Sequence, residues 1–170
     1  DAPVASAPGP IETAELIAFA GGKLNDITRA QPVLQAMCKR ILHAGDVGQG
    51  QALKVLVNAI GIQQLVALTS MIALGEKLGL PRRTLLEAFS SGAFATPTYA
   101  AKKDKLLAKD FSPEHSLEAA LKDTRLNVEL QQEAGLPLAV HREVQRTLEK
   151  AVEEGLGPED IFALEKYFKL

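Results

Sequence analysis

Lys54 and Asn58 stand four residues apart inside one long apolar run, the segment GDVGQGQALKVLVN at positions 45–58. A helix repeats every 3.6 residues, so the two side chains lie one above the other on a single face, with Gly50 one turn earlier. Their neighbours Leu53, Val55, Leu56, Val57, Ala59 and Ile60 are all apolar. An ammonium and an amide on one stripe of such a helix need a reason, because an unpaired buried charge is costly. Burial either lowers a lysine's pKa or supplies it with a specific partner. A lysine so placed can give or take a proton near neutral pH, and an adjacent amide can orient what it acts on.

The elements that must position this pair are of two kinds. The run LIAFAGG at 16–22 is short, apolar and closed by two glycines, which suits a buried strand. Residues 25–37 follow a helical pattern that Pro32 threatens to break. Residues 40–44 read as another short strand, and strand–helix–strand fits the edge of a larger sheet. Everything beyond Asp46 reads as helix. The first helix runs over 47–78, roughly 48 Å at 1.5 Å per residue, and ends at Gly79-Leu80-Pro81. Shorter helices are expected over 82–89, 97–107, 116–134, 138–153 and 158–168, each bounded by glycine, proline or both. The expected fold is mainly α: an all-helical domain on one long central helix at 46–170, after a small α/β part at 1–45.

Composition narrows the function. The chain has 170 residues, is 46% hydrophobic and carries a formal net charge of −2. No basic surplus points to nucleic acid or an anionic membrane. The apolar stretch at 55–74 is interrupted by Asn58, Gln63, Gln64 and Ser70, a better buried helix than membrane span. The single cysteine, Cys38, allows no internal disulfide and reads as a small buried hydrophobe in a reducing, cytoplasmic setting. His43, His115 and His141 have no metal-ligand spacing, so no metal is expected.

The glycines before Lys54 are not a phosphate loop, because Leu53 and Val55 flank the lysine where the Walker pattern needs glycine and serine or threonine. Nor are they a dinucleotide fingerprint, since Gly48 and Gly50 lack the third glycine at Leu53. Their use is steric: a backbone or ligand can approach closely, and the helix start favours an anion.

The same block resembles the central-helix signature of the β-hydroxyacid dehydrogenases, the family of 3-hydroxyisobutyrate dehydrogenase, tartronate semialdehyde reductase and glyoxylate/succinic semialdehyde reductase. The opening Asp1-Ala2-Pro3-Val4 resembles that family's substrate loop, AELIAFAGG its next strand, ALKDTRL at 120–126 its late Lys-Asp signature and GLGPEDIFAL its last turn. The resemblance implies a nicotinamide cofactor, NAD or NADP, and a small hydroxy acid or semialdehyde as substrate. It implies Lys54 as general acid/base, Asn58, Ser6 and Gly50 as substrate-binding residues and Lys122 as a cofactor contact. The family's Ser-Gly-Gly is Ala5-Ser6-Ala7 here, so the serine is displaced by one position. The family's glycine-rich dinucleotide turn would lie before Asp1. The chain therefore reads as a portion of such an enzyme, its first 45 residues the last strands of a Rossmann-like domain, inactive without the cofactor half.

Two other readings keep the fold. One is a non-catalytic helical module that only dimerises. Apolar residues Ile62, Leu65, Val66, Leu68, Ile72 and Leu78 surround the long helix on several sides, so other helices or a second subunit should cover it, as a dimer or tetramer. The other is imine-reductase-like chemistry, against which the lysine at position 54 argues.

Overall fold

The structure is a computed structural model that describes residues 1–6, 15–93, 95–136 and 138–169; of Ser6 it describes the backbone alone. The chain divides into two compact units, Asp1–Asn58 and Ala59–Leu170.

The first unit is α/β. Strand β1 (Val4–Ser6) pairs antiparallel with β2 (Leu16–Gly21), and β2 pairs parallel with β3 (Cys38–Gly45) through helix α1 (Leu24–Gln35). The central strand β2 buries Ala18, Phe19 and Ala20, as its continuous apolar run requires. Cys38 is buried at the start of β3 and is a free thiol. Pro32 is tolerated inside α1 because that helix buries no residue, so water can serve the carbonyl the proline leaves unpaired.

Helix α2 (Gln49–Lys77) starts in the first unit and continues into the second. It ends as its glycine dictates: Gly79 takes φ 85°, and Leu80 N–H donates to the Gly75 carbonyl at 2.9 Å. Helices α3 (Arg82–Ser91), α4 (Pro97–Ala108), α5 (Leu117–Glu133) and α6 (Ala139–Ala151) follow. Thr96 caps α4 by accepting from Tyr99 N–H, with Pro97 in the first turn, and Ser116 caps α5 by accepting from Ala119 N–H. Ile62, Leu68, Ile72, Leu86, Leu117, Leu148 and Phe162 form the core of this unit. Each large apolar side chain buried there contributes roughly 1.5–3 kcal/mol.

The last helix differs from the sequence expectation. Pro158 does not open it; a π-turn at Val152–Leu156 and a 3₁₀ turn at Ile161–Ala163 precede the short α7 (Leu164–Tyr167). Asp160 sets this start. Its carboxylate accepts from Phe162 N–H at 3.3 Å and from Glu114 N–H at 2.8 Å, so a residue 46 positions away decides where the chain turns.

Helix α2 has the length and apolarity to cross a membrane, a test that core helices of soluble proteins also pass. Ile62, Leu68, Thr69 and Ile72 are covered by the chain itself, whereas Leu56, Ile60, Met71, Leu74 and Leu78 are exposed.

Candidate active site

The first turn of α2 is built from backbone and glycine. Asp1 N donates to the Gly21 carbonyl at 3.1 Å and Gly21 N–H returns a bond to the Asp1 carbonyl at 2.8 Å, extending the β1–β2 pairing to the chain's first described residue. From there the Asp1 carboxylate reaches the start of α2. One oxygen accepts from Gly48 N–H and the other from Gln51 N–H, each at 2.7 Å.

Two glycines make this approach possible. A Cβ on Gly50 would lie 2.3 Å from the Phe19 carbonyl oxygen and 2.7 Å from the Asp1 carboxylate; one on Gly21 would lie 2.4 Å from that carboxylate and 2.7 Å from the Asp46 carbonyl. Backbone oxygen cannot yield as a flexible side chain can, so both positions require glycine. The end of β2 and the start of α2 are in direct backbone contact.

His43 closes the same end of the sheet. Its Nε2 lies 2.9 Å from the Gly22 carbonyl and 3.1 Å from the Gly45 carbonyl. Facing two acceptors, that nitrogen carries the proton and donates to both. The ends of β2 and β3 are thus clasped by an imidazole rather than left to the backbone alone.

One turn beyond Gly50 comes Lys54, and one turn beyond that Asn58. Both side chains are half-buried and both are engaged by neighbours. The helix therefore brings together the lysine and amide that the sequence pairs. Gly50, the third position on this face, is buried, and its immediate neighbours are Phe19 and Asp1. The side chain of Ser6 lies outside the described residues. Lys122 belongs to the other unit, on the outer face of α5. Its side chain is 70% exposed and its ammonium lies 3.1 Å from the Asp123 carboxylate. The opposite face of α5 buries Thr124, Asn127 and Gln131; Gln131 donates to Asn127 and accepts from Leu138 N–H at 3.1 Å.

The second unit's strongest electrostatics lie elsewhere. Arg82 forks onto Glu165 with contacts of 2.7 and 2.5 Å, bonds Glu76 at 3.0 Å and donates its Nε to the Leu106 carbonyl at 2.7 Å. Lys169 adds a bond to Glu76 at 2.5 Å. Burial works against the Glu76 charge, but Lys169 and Arg82 outweigh it and hold the carboxyl down at about 2. This cluster ties α2, α3, α4 and α7 together, and sequence reading missed it because its members are scattered from Glu76 to Lys169. Asp1 was missed for the same reason: no local pattern links it to residues 47 and 50 positions away. A cavity of about 230 Å³ beside Leu68, Met71, Phe89 and Tyr99 is lined by apolar residues and one tyrosine, whose hydroxyl is occupied by the Gln64 carbonyl. It offers no acid or base. Among the described residues no three His, Cys, Asp or Glu side chains gather as a metal site would need.

Comparison with known proteins places this arrangement. Residues 48–168 match the family pattern described as the NAD-binding part of NADP-dependent 3-hydroxyisobutyrate dehydrogenase. The chain is 29% identical over 164 residues to glyoxylate/succinic semialdehyde reductase 1 of Arabidopsis thaliana, covering 96% of this chain and 57% of that protein. It spans about half the length of the curated relatives it matches. The fold is that of 3-hydroxyisobutyrate dehydrogenase from Salmonella typhimurium, with a TM-score of 0.90 at 22% identity over 98% of this chain and 59% of that one. The Mycobacterium tuberculosis 3-hydroxyisobutyrate dehydrogenase, solved with L-serine, superposes with a TM-score of 0.83 at 25% identity, covering all of this chain (100%) and 60% of the other. The helical architecture, the small α/β part and the matched segment agree: this chain belongs to the NADP-dependent 3-hydroxyisobutyrate dehydrogenase family, a family of NAD(P)-dependent hydroxyacid dehydrogenases.

Proposed function

We propose that this chain is the catalytic helical portion of an oxidoreductase that interconverts a small β-hydroxy acid and its semialdehyde, with Lys54 as the general acid/base. One observation carries the reading: Lys54 and Asn58 are stacked and half-buried on α2 directly after a first turn that is locked to the sheet. In the oxidative direction Lys54 Nζ takes the proton of the substrate hydroxyl as the carbinol carbon gives up hydride. In the reductive direction it returns that proton to the carbonyl oxygen. Asn58 holds the reacting oxygen against Nζ. Ser6 contributes a substrate contact, and Gly50 shapes the site by letting the sheet approach the helix. Positioned proton transfer of this kind is worth about 10²–10⁴ in rate.

The nicotinamide cofactor, when bound, supplies or accepts the hydride. The residues present fit a chain that reaches a cofactor held chiefly elsewhere. Lys122 presents an exposed ammonium, 3.1 Å from the carboxylate of its neighbour Asp123, to which a phosphate or ribose hydroxyl can bind. We propose that the chain alone binds NAD or NADP weakly and is inactive. In this reading residues 1–45 are the last strands of a dinucleotide-binding domain and 46–170 the dehydrogenase helical domain. The protein is cytoplasmic and binds neither nucleic acid nor membrane. The exposed residues Leu56, Ile60, Met71 and Leu74 on α2, with Leu78 just beyond its end, favour a homo-oligomer, a dimer or tetramer, that covers them.

The test is an assay of the full-length protein against a panel of small semialdehydes and β-hydroxy acids with each nicotinamide cofactor. Saturable turnover with at least one is expected. Turnover restricted to cyclic imines would replace this reading with imine reduction, and an inert protein that still oligomerises would replace it with the helical-module reading.

A further inference from the structure

We infer that Asp1 is a positioning residue for Lys54, acting through the first turn of α2; this rests on the reading of Lys54 as the acid/base. In a usual capping box two nearby side chains share the work: the N-cap side chain takes the N–H three residues on, and the side chain there reaches back to the N-cap N–H. Here the N-cap position is Gly48, which has no side chain, with φ 94°. A single carboxylate from a different element does both jobs, accepting from Gly48 N–H and from Gln51 N–H, each at 2.7 Å.

The helix start is fixed to β1 and β2 rather than capped within itself, because Asp1 is also held by a reciprocal backbone pair with Gly21. The rotation of α2 is fixed as well, since one carboxylate holds two N–H groups three residues apart on the same side of the first turn and Gly50 is wedged against the Phe19 carbonyl beside them. Lys54 stands one turn further along the face that Gly50 presents to Asp1, so this clamp sets the azimuth at which its side chain leaves the helix. The clamp also spends the donors that would make this helix start an anion site.

The experiment uses the full-length protein with Asp1→Ala, Asp1→Asn and Lys54→Ala compared in parallel. It reads kcat and substrate KM at saturating cofactor, cofactor affinity by direct titration, the deuterium isotope effect on kcat, and amide exchange at Gly48 and Gln51. Displacing a catalytic group by an ångström costs up to about 10²-fold. Asp1→Ala is therefore expected to lower kcat roughly 10- to 100-fold per cofactor-competent molecule. The isotope effect should rise, exchange at both amides should accelerate, and cofactor affinity should hold. Asp1→Asn keeps one acceptor oxygen and should fall between, which serves if the alanine variant does not fold. Faster exchange with wild-type kcat and isotope effect would overturn the inference, as would unchanged exchange. If Lys54→Ala itself turns over normally, the reading of Lys54 fails. If Lys54→Ala is crippled and the Asp1 variants are not, the inference alone fails.

Discussion

The two halves of α2 are held by opposite means. Its first turns are gripped by backbone and glycine: Gly50 against Phe19, Gly21 against Asp1 and Asp46, and the Asp1 carboxylate on two N–H groups. Its later turns are gripped by side chains, with Ile62, Leu68 and Ile72 in an apolar core and Glu76 in an ion cluster with Arg82 and Lys169. The first kind of contact fixes position with little apolar burial; the second supplies stability. A catalytic lysine belongs on the first kind, because its usefulness depends on where it points and because core packing around it would impose a desolvation cost. Substitutions should therefore separate the halves: those near Asp1 and Gly50 should alter turnover, and those near Arg82 should alter folding.

The largest effect on folding is expected from Arg82→Ala. Arg82 and Glu165 side chains are only 10% and 2% exposed, so removing the cation strips a buried carboxylate of its two-bond partner and leaves the longer 3.8 Å contact with Lys169. Breaking such a pair costs about 3–5 kcal/mol, read as a drop in the denaturant midpoint. A loss within experimental error would show that the cluster does not hold this half.

Glycine substitutions sharpen the contrast within one helix. Gly50→Ala forces a Cβ onto the Phe19 carbonyl, and overpacking of this kind costs about 1–3 kcal/mol; it should lower turnover as well, by shifting the turn that carries Lys54. Gly61→Ala meets nothing within 4 Å and is expected to stabilise by roughly 0.5–1 kcal/mol, the usual gain at a helical glycine. Chemical denaturation of both variants checks this, and equal effects at the two sites would remove the distinction between them.

The smallest effect is a pH dependence. The folded carboxyl of Glu76 sits at about 2 against 4.5 for the free group. A depressed carboxyl stabilises the fold above its unfolded value, and that contribution is lost as pH falls from about 4.5 toward about 2. The wild type should therefore lose stability over this window more steeply than Glu76→Gln. Parallel slopes in acid unfolding would contradict the assignment.

How much of this was legible beforehand divides along the same line. Local signals sufficed for Gly79, Thr96 and Ser116, where a helix end is decided by the residue occupying it. The pairing of Lys54 with Asn58 was legible because helical spacing alone sets it, and the family followed from motifs in order along the chain. The Asp1 clamp, the His43 clasp and the Arg82 cluster were not legible, since each joins residues distant in sequence. The three glycines between Gly45 and Gly50 signalled close approach but not what approached; for Gly50 it is the β2 backbone and the Asp1 carboxylate. The start of the last helix was misplaced at Pro158 because Asp160 is fixed from the loop at Glu114, which no local pattern reveals.

The central claim is that Lys54 moves the substrate proton from a helix turn that does not depend on it for folding. The most direct measurement is the turnover number and the thermal midpoint of full-length Lys54→Ala, taken side by side with cofactor bound. The account predicts turnover lower by about 10²–10⁴ with the midpoint and cofactor affinity close to wild type. Near-normal turnover, or a loss of activity that only tracks a loss of folded protein, would contradict it.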